Sequence, residues 1–140
     1  MVKKILFICK YNRFRSKFAE AYFNSINKNK DIEVSSAGIV EVNVPMKSDE
    51  KRRNKYILEK FCIPLSEKSR GINVKLLEVQ DEIIIVADDV PKIIFDNPAW
   101  RDKVVVWRIA DVFGDDKEKI NKTLGAIKRR VDALVNRLRK

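Results

Sequence analysis

The sequence contains no histidine and only two cysteines among its 140 residues. Without histidine, Ser-His-Asp and Cys-His catalysis are excluded, and any general acid or base must be Asp, Glu, Lys, Tyr or Cys. Two cysteines cannot build a framework of several disulfides, and they cannot form a structural zinc site alone. Any nucleophilic chemistry in this chain therefore has to work without an imidazole partner.

Glycine and proline are also scarce, with four of each, whereas hydrophobic residues make up 45% of the chain. This composition excludes collagen-like, low-complexity and disordered proteins. No apolar run approaches the roughly 18 residues of a membrane helix, and the one at residues 5–8 is shorter than a signal peptide core of about 7–15 residues. We therefore expect residues 1–140 to form one globular domain in the cytoplasm, with no membrane partner.

The net charge of +10 is concentrated near the end of the sequence. Residues 117–140 hold nine basic and two acidic side chains, a net charge of +7, which leaves +3 for the rest. Such an excess is compatible with nucleic acid, an anionic membrane surface or phosphorylated substrates. Because no aromatic residues interleave with the basic ones, we favour a solvated helix face and rank nucleic acid last as a partner.

Short apolar runs alternate with segments of helical periodicity along the chain. The apolar runs predict strands at residues 3–9, 33–36, 81–87 and 103–109. Helices are predicted at residues 16–26, at 48–61 with Ser48 as its cap, at 90–95, and after a cap at Asp115 or Asp116. This alternation predicts an α/β fold, with a four-stranded parallel sheet and helices on both faces. Ligands of such sheets bind beyond the carboxyl ends of the strands.

The segment between the first predicted strand and helix has the features of an anion site. It reads Cys9-Lys10-Tyr11-Asn12-Arg13-Phe14-Arg15-Ser16. Backbone N–H groups and a helix N-terminus point at whatever occupies such a loop, and together with arginine they favour the thiolate form of Cys9. The planar fork of Arg15 can hold two phosphoryl oxygens, and the Ser16 hydroxyl can donate to the thiolate. The loop therefore predicts a cysteine nucleophile beside a bound phosphoryl group.

This Cys-x5-Arg-Ser pattern after an N-terminal strand resembles the low-molecular-weight protein tyrosine phosphatase family, which also includes arsenate reductases. Further matches follow in the same order along nearly the whole chain. They are the Ser-x-x-Ala-Glu-Ala helix start at residues 16–21, Val34-Ser35-Ser36-Ala37-Gly38, Ile63-Pro64-Leu65-Ser66 with Ser69-Arg70, the strand that ends at Asp88, and Asp111-Val112-Phe113-Gly114. The resemblance implies the doubly wound sheet of that family.

The resemblance also implies an activity, the hydrolysis of phosphate monoesters by a cysteine-dependent phosphatase. Phosphotyrosine in proteins or a small aryl phosphate would be the substrate, a phosphocysteine would be the intermediate, and phosphate-like oxyanions would inhibit. Cys9 would attack phosphorus, Arg15 and the loop amides would hold its oxygens, and Asp111 would be the general acid. The other phosphate-binding loop residues would be Lys10, Tyr11, Asn12, Arg13 and Phe14. No metal or cofactor is implied.

Supporting residues follow from the same resemblance. Ser16 would assist the nucleophile, Asn12 would shape the loop, Ser36 would support it, and Phe113 would form a wall of the cleft. The family's aromatic wall after the second strand aligns here with about Val42 and Asn43, so phosphate-monoester chemistry is predicted more firmly than a preference for phosphotyrosine.

Four positions depart from the family pattern. Tyr11 replaces a usual glycine, so its backbone must suit a residue with a Cβ. Phe14 replaces a neighbouring cysteine, which leaves no disulfide partner there. Glu67 aligns with a histidine that supports the loop asparagine in some members, and Val112 replaces the proline after the acid.

Two other functions remain open from the sequence. One is a thiol-coupled arsenate reductase that uses Cys9, although the strand at residues 81–87 is followed by Asp88-Asp89 rather than by cysteines. The other is a non-catalytic module that binds phosphate or nucleic acid. Asp88 and Asp89 are predicted to have a structural or loop-supporting role rather than to hold magnesium.

Overall fold

The computed structural model describes residues 1–139, which are organised around one sheet. Its strands are β1 (Lys3–Cys9), β2 (Ile32–Gly38), β3 (Glu82–Val86) and β4 (Val104–Trp107). They lie in the order β2-β1-β3-β4, and every neighbouring pair is parallel. The predicted four-stranded parallel sheet is confirmed, and the carboxyl ends of all four strands meet at one edge.

Four α-helices connect and cover the strands. They are α1 (Arg15–Ile26), α2 (Ser48–Phe61), α3 (Val74–Glu78) and α4 (Lys117–Leu138). Asp116 caps α4 as predicted, since its side chain accepts a hydrogen bond from the Lys119 amide at 3.1 Å. No helix within residues 1–139 is both long enough and apolar enough to cross a bilayer.

Three details of the prediction were wrong. Ser48 is the first residue of α2 rather than its cap, which is Lys47. The helix α3 was not predicted, because five residues are too few for a periodic pattern; Asn73 caps it by accepting from the Leu76 amide at 2.9 Å. The predicted helix at residues 90–95 is a shorter 3₁₀ turn, Lys92–Phe95.

The side chains of β1 alternate between two apolar cores, one on each face of the sheet. Ile5 and Phe7 point into the core formed with α1 and α4, whereas Leu6 and Ile8 point into the core beneath α3. All four are fully buried. Since each such burial stabilises the fold by about 1.5–3 kcal/mol, β1 fixes the position of the loop that follows it. Helices on both faces are confirmed.

Strand lengths differ from the prediction where pairing decides them. β2 extends beyond residues 33–36 because its register with β1 runs from Lys3 opposite Ile32 to Cys9 opposite Gly38. β4 is shorter than residues 103–109 because its pairing with β3 begins at Val104. This register brings the end of β2 directly beside the start of the cysteine loop.

Candidate active site

A cavity of about 420 Å³ opens beyond the carboxyl ends of the strands. The loop after β1 contributes Cys9 and Arg15, together with Tyr11, Arg13 and Phe14. The rest of the lining comes from residues 42–47, the first turns of α2, and residues 111–114. Cys9, Arg15, Asp111 and Phe113, which are distant in sequence, therefore share one cavity. Lys10 and Asn12 belong to the loop but not to the lining.

The sulfur of Cys9 has two hydrogen-bonding neighbours within its own loop. Its Sγ lies 3.0 Å from the Ser16 Oγ, and the Asn12 backbone N–H donates to it at 3.3 Å. Cys9 is only 3% exposed. These two contacts fix the position of the sulfur at the start of the loop. The contact between Ser16 and Cys9 is the one the sequence predicted.

The side chain of Asn12, a residue of the loop, is buried beneath it and connects three segments of the chain. Its Nδ2 donates to Ser16 Oγ and to Ser36 Oγ, both at 2.9 Å, and its Oδ1 accepts from the Arg70 amide at 3.0 Å. The residue is completely buried and has a φ of 53°. Asparagine tolerates this left-handed conformation better than most residues with a Cβ. Ser36, which donates in turn to Glu20, thus lies where the resemblance placed it.

The neighbouring strand allows the loop to approach closely because β2 ends in glycine. A Cβ on Gly38 would lie 2.8 Å from the Tyr11 carbonyl carbon and 2.9 Å from the Asn12 amide nitrogen. In return, the amides of Ile39 and Val40 donate to the carbonyl oxygens of Cys9 and Lys10, each at 3.1 Å. The Ser-Ala-Gly turn therefore shapes the loop from below.

Tyr11 fits the loop without the glycine that the family pattern has there. The positive φ in the loop falls on Asn12 instead, so the Cβ of Tyr11 meets no backbone strain. The Ser69 hydroxyl donates to the Tyr11 carbonyl oxygen at 2.8 Å and accepts from the Val42 amide at 2.9 Å. Ser69 and Arg70 thus hold the loop from the middle segment, whereas the exposed Glu67 does not.

Arg15 is almost completely buried, at 2% exposure, and is surrounded by acceptors. Its Nη1 donates to the Ile109 carbonyl oxygen at 2.9 Å. Three carboxylates lie within 4 Å of its guanidinium, those of Asp89 at 3.0 Å, Asp111 at 3.6 Å and Asp88 at 3.7 Å. The aspartates after β3 therefore hold the arginine in place, as predicted for loop support, and the arginine in turn contacts the predicted acid.

Arg13 is directed away from the base of the cavity. Its guanidinium donates to the Val44 carbonyl oxygen and pairs with Glu50 of α2 at 3.5 Å. Arg13 therefore joins the loop to the wall of the cavity that Val44 and Glu50 line. Lys17, on the next turn, is half-buried; burial lowers its pKa, although the charges of Glu20 and Cys9 oppose that shift.

The α2 wall was missed by the sequence reasoning. Asp49, Glu50 and Arg53 line the cavity, and their spacing of three and four residues places them on one helix face. This spacing was the available signal, but it is also common on solvated helices. Two aromatic residues of the lining reach solvent, since Phe113 is 88% exposed and Tyr11, near the cysteine in the loop, is 41% exposed. Val42, which aligns with the position where the family has an aromatic wall residue, also lines the cavity.

The family model of the low molecular weight phosphotyrosine protein phosphatases matches residues 4–140. The chain belongs to this family. No curated protein matches the sequence. The phosphatase family, its fold and the cavity at the carboxyl ends of the strands agree with the expectation drawn from the Cys-x5-Arg-Ser loop.

Solved structures of related proteins resemble the whole chain. A mutant of YwlE from Bacillus subtilis is 25% identical, with a TM-score of 0.82 and coverage of 99% of both chains. A second YwlE structure, named as that of an arginine phosphatase, is also 25% identical, with a TM-score of 0.80 over 98% of this chain and 96% of that one. An arsenate reductase from Archaeoglobus fulgidus is 28% identical, with a TM-score of 0.67 over 94% of this chain and 98% of that one. A low molecular weight protein tyrosine phosphatase from T. tengcongensis, 23% identical, shares the fold, with a TM-score of 0.80 over 96% and 99% of the two chains.

Proposed function

We propose that this member of the phosphatase family hydrolyses phosphate monoesters, with phosphotyrosine in proteins as its substrate class. The observation that carries the proposal is the surroundings of Cys9. Its sulfur accepts a hydrogen bond from the Asn12 amide and contacts the Ser16 hydroxyl. Cys9 also lines the same cavity as Arg15 and Asp111. Cys9 can thus serve as the nucleophile, Arg15 can hold the phosphoryl oxygens, and Asp111 can act as the general acid.

In the first step the Cys9 thiolate attacks phosphorus. A bond forms between Sγ and phosphorus while the bond between phosphorus and the ester oxygen breaks. Asp111 gives its proton to the departing oxygen, which leaves as an alcohol or phenol. Arg15 and the loop amides offset the negative charge on the other three oxygens, a kind of contact whose loss costs about 2.7–4 kcal/mol when a single preorganised donor is removed.

In the second step water attacks the phosphocysteine. The Asp111 carboxylate accepts a proton from that water, the bond between sulfur and phosphorus breaks, and inorganic phosphate and the Cys9 thiolate are released. Ser16 donates to the sulfur as its negative charge returns. Each proton and electron pair is accounted for by the chain, its substrate and one water molecule, so the cycle needs no further co-reactant.

Hydrolysis of an aryl phosphate without added metal tests the proposal, with wild type, Cys9→Ser and Asp111→Asn compared across pH. We expect Cys9→Ser to fall to background and Asp111→Asn to lose about 10²-fold or more. Mass spectrometry of acid-quenched Asp111→Asn should show one added phosphoryl group on Cys9, because the missing base slows hydrolysis of the intermediate. Turnover that survives in Cys9→Ser would refute the proposal.

A second candidate substrate class is phosphoarginine. The cavity wall carries the carboxylates of Asp49 and Glu50 in addition to Asp111, and carboxylates attract a guanidinium leaving group. YwlE, a relative named as an arginine phosphatase, shares the fold. Paired peptides that differ only in phosphotyrosine or phosphoarginine would separate the two classes. Cleavage of only the phosphoarginine peptide would replace phosphotyrosine as the substrate class and leave the cysteine mechanism intact.

A further inference from the structure

The segment that carries Asp111 is attached to α2 at two points. Arg53 Nη1 donates to the carbonyl oxygen of Val112, the residue after Asp111, at 3.2 Å. One residue earlier on α2, Arg52 Nε donates to Asp115 at 2.6 Å. The first contact is buried, because Arg53 is only 4% exposed, whereas the second lies at the surface. The helix therefore holds the segment both before and after Phe113.

The same Arg53 side chain also contacts the phosphate loop. Its guanidinium carbon lies 4.2 Å from the centre of the Phe14 ring, and Phe14 immediately precedes Arg15. A cation over an aromatic face is attracted by the ring, most strongly where water is excluded. Through one planar group, Arg53 joins the loop of the nucleophile to the segment of the acid.

The charge of Arg53 is kept in the protein at a cost. Burial lowers its pKa, and the carboxylates of Asp111 and Glu50 oppose that shift. Within residues 1–139 its Nε has no hydrogen-bond partner. Because a buried ionic group contributes little net stability compared with an apolar side chain of similar volume, stability alone does not account for an arginine here. The contacts of Arg53 with both Phe14 and Val112 account for an arginine at this position.

We propose that Arg53 is a positioning residue for the general acid, one that sets where Asp111 stands above Cys9 by holding Val112 against the Phe14 side of the loop. This inference rests on the phosphatase mechanism proposed above. A displaced acid harms a reaction only as far as the departing oxygen needs its proton. Loss of the Arg53 contact should therefore harm substrates with poor leaving groups more than those with good ones.

The test compares kcat/KM for phenyl phosphate with that for a nitrophenyl phosphate, whose leaving group needs little protonation. This constant reports the steps up to phosphoryl transfer to Cys9. In Arg53→Met the side chain keeps its stem over Phe14 but loses its charge and donors. Since general acid catalysis contributes about 10²–10⁴-fold, we expect a loss of about 10–10²-fold on phenyl phosphate and a loss about tenfold smaller on the nitrophenyl ester.

Two variants control this comparison. Arg53→Lys retains a charge and a donor, so it should recover part of the loss on phenyl phosphate. Lys55→Ala removes an exposed cation from the same helix, where it pairs with Glu59 at the surface, and should leave both constants unchanged. The alkaline limb of the pH profile for phenyl phosphate should flatten in Arg53→Met, as we also expect it to do in Asp111→Asn.

Equal losses on the two esters, or no loss on either, would overturn the proposal, since the first is what a merely structural residue gives. If circular dichroism shows that Arg53→Met does not fold, the ratio between the two esters in Arg53→Lys decides in the same way. Failure of the phosphatase mechanism is read separately, from an inactive wild type or an active Cys9→Ser, before any Arg53 variant is considered.

Discussion

The two ends of the parallel sheet are built from polar residues in opposite ways. At the carboxyl ends of the strands, Asn12 is fully buried and its side chain has three hydrogen-bond partners on three segments. At the amino ends, Glu82 pairs with Lys3 at 2.9 Å and with Arg137 at 2.7 Å, and both cations are more than a third exposed. At the carboxyl ends the polar network is buried, and the Arg15 guanidinium is buried beside it among three carboxylates, whereas at the amino ends the cations of the ion pairs are solvated.

This difference shows where the fold keeps polar groups in fixed positions. Desolvated hydrogen bonds are costly to leave unmade, so a buried network admits few alternative geometries. Exposed ion pairs are screened by water and salt, and they tolerate many geometries. The sheet therefore holds its loop rigidly at the end where Cys9, the proposed nucleophile, lies. Changes at that end should have large effects, and changes at the amino ends should have small ones.

The largest effect is expected from Gly38→Ala, because the added Cβ would meet the backbone of the phosphate loop at 2.8–2.9 Å. The loop has to shift, and a misplacement of about 1 Å in a site costs on the order of 10²-fold in rate. We also expect a loss of about 1–3 kcal/mol in the free energy of unfolding, as for an overpacked core. Aryl phosphate turnover and urea denaturation measure the two effects.

The same substitution in a helix supplies the control for Gly38. In Gly125→Ala the Cβ would lie 3.5 Å from the flexible end of Arg129, in the middle of α4. Alanine is favoured over glycine inside a helix by roughly 0.5–1 kcal/mol, so this variant should be more stable and keep full turnover. A Gly38→Ala protein with normal turnover would show that the loop is less tightly held than its contacts indicate.

A loss of stability without an added steric clash is expected from Asn12→Ala, which removes the partners of Ser16, Ser36 and the Arg70 amide together. Each buried group left without a partner costs about 1–3 kcal/mol, so the free energy of unfolding should fall by at least about 2 kcal/mol. Asn12→Gly removes the same bonds but suits the φ of 53°. If the bonds dominate, the glycine variant stays nearly as unstable; recovery close to wild type would assign the effect to the backbone.

A control for that backbone effect exists at the end of α2. Cys62 is exposed and has a φ of 58°, close to that of Asn12, with no such network around it. Glycine is the preferred residue in this helix-terminal conformation. Cys62→Gly should therefore leave stability unchanged or raise it by less than about 1 kcal/mol, as judged by thermal unfolding. Any substantial loss there would mean that left-handed positions in this chain cannot be compared by φ alone.

The sequence predicts the buried end of the sheet better than the wall of the cavity above it. Cys9, Arg15 and Ser16 lie within one loop, so their proximity follows from local spacing, and the parallel sheet follows from its apolar runs. The contact of Arg53 with Val112 joins residues 59 positions apart. It depends on how α2 packs over the sheet, which no local pattern records. The short α3 was missed for a related reason, since a single turn leaves no periodicity to detect.

At the amino ends, Glu82→Gln should change stability by no more than about 1 kcal/mol, because Glu82 is partly buried but both of its cationic partners are more than a third exposed. Burial by itself would raise the pKa of Glu82, but its bonds with Arg137 and Lys3 outweigh burial and hold that pKa below the ordinary 4.5. The contribution of Glu82 to the free energy of unfolding is therefore fully present at pH values above its ordinary pKa, and it is lost as the pH falls through the lowered pKa of the folded protein. The free energies of unfolding of wild type and Glu82→Gln, measured by urea denaturation, should accordingly differ at neutral pH and converge in acid.

Glu59→Gln, which removes the charge from an exposed pair with Lys55, is the control and should differ less from wild type at any pH. A loss in Glu82→Gln as large as that in Asn12→Ala would contradict the contrast between the two ends of the sheet.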